Sequence, residues 1–152
     1  MARETGAAAI RCDVSDPDRV RKACAEAEKT LGHINALVNN AGISAREPLA
    51  DYSPEAFRSI MDLNVTAVFH GCKAVEPIMR AAGKGCIINT SSMVSLYGQP
   101  SGVGYPTSKF AVNGLTKSLA RELGRSGIRA LGILCLVVGG LAAAGGQRCE
   151  HQ

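Results

Sequence analysis

This 152-residue chain has no tryptophan, and its aromatic content is only 4%. Neither a basic cluster nor aromatic interleaving accompanies the mild +4 formal charge, so nucleic acid is not expected as a partner. Six cysteines are present, at positions 12, 24, 72, 86, 135 and 149, but no two make a CxxC pair, so the sequence has neither a zinc ribbon nor a dithiol redox motif. His33, His70 and His151 lack ligand spacing and acidic partners, so no metal site is expected. No signal peptide opens the chain, and reduced thiols in a cytoplasm are the expectation. The apolar stretch 131–144 is short and Gly-rich, which argues against a membrane span. An apolar fraction of 46% beside 20% charged residues is ordinary for one globular domain.

The chain does carry Tyr105-Pro106-Thr107-Ser108-Lys109. Residues at i and i+4 share a helix face, so an ammonium can lie beside a phenol, favour its ionised form and make it a proton donor near neutral pH. The pattern is common when met alone. Upstream, the apolar run Ile87-Ile88-Asn89 empties into Thr90-Ser91-Ser92, as a buried strand does when it opens into a ligand-binding loop at its carboxyl end. Leu37-Val38 followed by Asn39-Asn40-Ala41-Gly42 repeats the design with two amides and a glycine turn.

Together with Asp13-Val14 and Leu63-Asn64-Val65, these landmarks stand in the order found in the short-chain dehydrogenase/reductase family, and residues 9–129 resemble its 3-oxoacyl-carrier-protein reductase-like members. The resemblance implies an α/β fold, a Rossmann-like doubly wound parallel sheet. It also implies hydride transfer between NAD or NADP and a small-molecule carbonyl or secondary alcohol. Tyr105 would be the acid/base, Ser92 would hold the substrate oxygen, and Lys109 would bind the nicotinamide ribose and depress the tyrosine pKa. Asn64 would link the lysine to solvent through a water. Asp13 and Val14 would meet the adenine, with Asn40 and Ala41 along its ribose. Plainer readings stand beside these: Asp13 as a helix cap, Asn39-Asn40 as turn chemistry, and Asn64 satisfying backbone within a helix or at its kink; Tyr97 could narrow a substrate pocket, with packing of its loop the expected role.

The chain ends depart from the family pattern. The first two strands and the Gly-rich turn that cradles pyrophosphate have no counterpart, so the preference between NAD and NADP is unreadable. Residues 10–14 would match the family's third strand. The whole, 1–152, reads as a single partial domain with a divergent tail over 130–152, attributed to a frameshift or premature end; an apolar strand within 131–144 is still expected. In the family order 3-2-1-4-5-6-7, those losses would isolate 10–14 and bare the edge at Leu37-Val38. A non-catalytic remnant, inert or pairing with full-length relatives, is therefore the alternative to an active enzyme.

Local signals predict a helix over 17–31, capped by Ser15 or Asp16 and stopped at Gly32, with Val20, Cys24 and Ala27 inward. A second helical region should start after Ser53, break near Asn64 and end at Gly83. A third should run over 105–123, with Leu115, Leu119 and Leu123 on one side. The two long helices form a dimer interface in the family, so a homo-oligomer using Phe69, Val75, Leu115 and Leu119 is the implied assembly; core packing is the other role open to them.

Overall fold

The computed structural model describes residues 6–135. Helix α1 (Pro17–Leu31) begins where Asp16 accepts hydrogen bonds from the Asp18 and Arg19 amides, with a proline in the first turn. It ends at Gly32, whose φ of 76° is a left-handed conformation that suits glycine. Strand β1 (Ala36–Asn39) follows. Helix α2 (Pro54–Met61), capped by Ser53, runs into a π-helical segment, Asp62–Thr66, and then into α3 (Ala67–Ala82). The expected break near Asn64 is this π segment, a widened turn that presents a side chain sideways without ending the helix. Strand β2 (Gly85–Ser92), the short α4 (Val94–Tyr97), α5 (Gly104–Leu123) and strand β3 (Ile128–Cys135) complete the described fold.

The three strands form one parallel sheet in the order β1-β2-β3. Register places Leu37 beside Ile87 and Ile87 beside Ala130. On that face α3 and α5 close a core in which Val75, Met79, Ile87, Val112 and Ile128 have no exposed surface. Leu115 and Leu119 pack partly against it. Val75 therefore belongs to the core, whereas Phe69 is exposed and carries the Lys73 ammonium 5.7 Å from its ring centroid. The opposite face, through Val38 and Leu131, is 58% and 48% exposed to solvent. Parallel sheets normally bury both faces, and the described residues supply the helices of one.

Two expectations need correction. Residues 10–14 form no strand, because a strand is completed only by the ladder of a neighbour; Ile10, Cys12 and Val14 instead line an apolar groove of about 360 Å³ beside β1. The strand expected within 131–144 starts earlier, at Ile128, and its Leu131, Ile133 and Leu134 are exposed. Residues 136–152 lie outside the described part. The described cysteines are free, and burial pushes the Cys72 thiol up to about 11.

Among the described residues no strand pairs with the outer edge of β1, and an edge left so is an association hazard. Val38→Lys should reduce self-association at matched concentration, read as a shift toward monomer in sedimentation velocity, with an unchanged circular dichroism spectrum; unchanged association would show that the exposed surface around Val38 is not the contact.

Candidate active site

The polar residues gather where β1 and β2 end and α5 begins. Asn64, fully buried in the π segment, reaches across to the loop after β1: its Oδ1 accepts from the Ile43 amide and its Nδ2 donates to the Ile43 carbonyl, each at 2.8 Å. The same Nδ2 donates to Ser108 Oγ at 3.0 Å, and Ser108 donates to the Tyr105 carbonyl at 2.7 Å. Asn64 is thus tied to the helix that carries Tyr105 through one hydroxyl. Its side chain bonds a distant loop, so the kink-satisfying role does not describe it.

Lys109 lies one turn beyond Tyr105, with Nζ 5.6 Å from the phenol ring centroid and donating to the Thr90 carbonyl at 2.8 Å. It is buried, and desolvation lowers its pKa below the ordinary lysine value of 10.5, with the Cys135 thiol acting in the opposite sense. Gly42 passes close by. A Cβ there would stand 3.0 Å from Asn64 Oδ1 and 3.8 Å from Lys109 Nζ, so the absent side chain leaves space beside the ammonium. Thr90 also donates from Oγ1 to Asn40 Oδ1 at 2.9 Å, joining the Asn-Asn turn to β2, whose Thr90 carbonyl holds the lysine.

Ser92 ends β2, and it lines a cavity of about 220 Å³ together with Tyr105. Beneath it, Ser95 donates to the Ser92 carbonyl at 2.5 Å and accepts from Asn113 Nδ2 at 2.7 Å, holding the strand end against α4 and α5. Tyr97 is 68% exposed and lines this cavity, so it does not pack its own loop. Local sequence signals do not single out Ser108, Thr90, Ser95 or Asn113 as site residues. The Thr-Ser-Ser run and the serine between Tyr105 and Lys109 were the available signals.

The remaining residues lie elsewhere. Val14, Asn40 and Ala41 line the apolar groove beside β1. Asp13 sits in a separate depression with Arg58 and Asp62. Its Oδ1 accepts from Ser15 Oγ at 2.6 Å and from the Ser15 amide at 3.1 Å, and these bonds hold its carboxyl below the usual range. The helix cap is Asp16, so capping by Asp13 is corrected.

A family model described as short chain dehydrogenase matches residues 1–144, past the boundary at 129 expected from the motifs, and the chain belongs to that family. It is 56% identical over 116 residues to a protein of Mediterraneibacter gnavus named 3alpha-hydroxysteroid dehydrogenase, covering 76% of this chain and 46% of the relative. Identity is 45% over 120 residues to a Mycobacterium tuberculosis protein named 3-alpha-(or 20-beta)-hydroxysteroid dehydrogenase, covering 79% and 46%. Among solved structures, an NAD+-bound xylitol dehydrogenase superposes with a TM-score of 0.83 at 36% identity, over 88% of this chain and 53% of that one. The structure titled "ElxO with NADP Bound" gives 0.84 at 30%, over 88% and 54%. The chain spans about half the length of the relatives it matches. The incomplete Rossmann-like sheet inferred from the motifs is the observed one.

Burial of Lys109 sets a pH dependence. Its folded pKa is lowered, so the stability tied to it is complete above 10.5 and is lost as pH falls through the lowered value. Lys109→Met should therefore raise Tm at neutral pH, the gap closing as pH climbs toward 10.5. Calorimetry across pH reads this; a lower Tm would mean that the Thr90 bond outweighs the desolvation.

Proposed function

We propose that the site serves an oxidoreductase that transfers a hydride between NAD or NADP and a secondary alcohol or ketone. The observation that carries the reading is the convergence of Ser92 and Tyr105 on one cavity, with the Lys109 ammonium beside the Tyr105 ring. Reduction of a ketone leaves charge on its oxygen, and the phenol of Tyr105 neutralises it by giving up its proton. The Ser92 hydroxyl, held by the strand end, keeps that oxygen near the phenol. In the oxidative direction Tyr105 takes the alcohol proton instead. The Lys109 ammonium stands beside the Tyr105 ring, and Asn64 fixes the helix turn that carries Tyr105.

The residues present fit the nicotinamide–ribose end of such a cofactor. The gap left by Gly42 gives hydroxyl groups access to Lys109, and Asn40 and Ala41 continue along the groove. The bound nicotinamide supplies or accepts the hydride, and this chain supplies position and proton. Among the described residues no strand leads into a Gly-rich turn for the diphosphate. The substrate class follows the relatives named hydroxysteroid dehydrogenases: a secondary hydroxyl on an apolar skeleton, suited to Met93, Val94 and Tyr97 in the cavity wall.

The open β1 edge and the apolar groove favour a second reading, a non-catalytic form that pairs with full-length relatives. A fluorescence titration with NADPH and NADH separates the two, since only the first requires saturable binding. Under the first reading, Tyr105→Phe should lower turnover by at least ~100-fold and leave that binding intact. Equal activity in the variant would remove the assignment of Tyr105.

A further inference from the structure

We propose that Arg46 makes this site selective for substrates bearing an acidic group in addition to the reacting carbinol, an inference that rests on the oxidoreductase reading above. The cavity that holds Ser92 and Tyr105 has apolar walls at Met93, Val94 and Tyr97, and among its lining residues Arg46 is the one with an ionised side chain at neutral pH. Arg46 is exposed, and among the described residues its guanidinium makes no ion pair or hydrogen bond. Five donors in a planar fork are therefore available to a carboxylate or a similar oxyanion.

The backbone around Arg46 is held on both flanks. Ile43 is gripped by Asn64 through both its amide and its carbonyl. The Ala45 carbonyl accepts from Gln99 Nε2 at 3.4 Å, and the Glu47 carbonyl accepts from the Gly102 amide at 3.0 Å. Gly102 has φ 76°, and a Cβ there would collide with the Ala45 carbonyl, so this approach of the two loops needs glycine. Gln99 also donates to the Gly102 carbonyl at 2.8 Å, closing the strap. The strap fixes where the Arg46 backbone stands relative to the cavity, so less ordering accompanies ligand binding. A ligand that fits would place its oxygen between Ser92 and Tyr105, its apolar body against Met93 and Tyr97, and its anionic end at the guanidinium.

The test uses 4-oxo-4-phenylbutanoate and its methyl ester, a ketone with an aromatic body that differs only in the charged end. Binding to the whole chain is followed by ligand-observed NMR, which needs no turnover. The acid should bind roughly three- to tenfold more tightly than the ester, as a partly exposed charged pair allows. In Arg46→Gln the ratio should fall to about one with ester affinity unchanged, and Arg46→Lys should retain part of the preference. Equal binding of acid and ester to the wild-type chain, a preference that survives in Arg46→Gln, or binding of neither probe would each overturn the proposal. Oxidation of NADH or NADPH in the presence of each probe is a separate readout. An Arg46-dependent preference without turnover would defeat the oxidoreductase reading and leave anion selectivity standing.

Discussion

The two hydrogen bonds between the Asn64 amide and the Ile43 backbone join elements 21 residues apart, and the site depends on them. They form because the π segment widens the helix by one residue and swings Asn64 inward from a run otherwise directed at the core. With no exposed surface, Asn64 must satisfy both amide groups, and a single backbone residue offering N–H and C=O does so. Its remaining donor bond goes to Ser108, and so to the first turn of α5. One side chain thereby fixes the loop after β1, the base of the Tyr105 helix and the closeness of Gly42 to Lys109.

A second polar layer lies deeper in the sheet. Asn39 Nδ2 donates to Asn89 Oδ1 at 2.9 Å, and Asn89 Nδ2 donates to Thr116 Oγ1 at 2.9 Å, running from β1 through β2 to α5. Cys72 closes it from α3, and Gly71 admits the Asn39 amide where any Cβ would collide with it. Unpaired, these amides would each be costly to bury; paired, they fix which helix faces which strand. The register of the strand ends, and with it the separation of Ser92 from Tyr105, follows from that layer.

What could be read in the sequence was what local chemistry decides. The Asp16-Pro17 start and Gly32 stop bound α1 because capping and a left-handed glycine act within a turn. Tyr105 and Lys109 could be paired because helical periodicity alone brings them to one face. The state of residues 10–14 could not be decided locally, since their apolar pattern is strand-like and pairing depends on a neighbour that no described strand provides. The role of Thr90 is not legible locally because its two partners, Lys109 and Asn40, arrive from different elements. Arg46 and the Gln99–Gly102 strap were hidden for the same reason: Ala45 and Gln99 meet across 54 residues.

Lys109 supplies the main physical argument for the binding role proposed for this corner. An ammonium has three donors, and among the described residues one is used, by the Thr90 carbonyl. Burial disfavours the charge, and an apolar side chain of similar length would fill the position without that penalty. The unused donors adjoin the space left by Gly42, where even a methyl group would crowd Asn64. A desolvated charge beside a gap kept open by glycine and braced by a buried amide is suited to a ligand with paired hydroxyl acceptors. The ribose of a nicotinamide nucleotide is such a ligand, which is why the proposed chemistry rests on this corner more than on the fold as a whole.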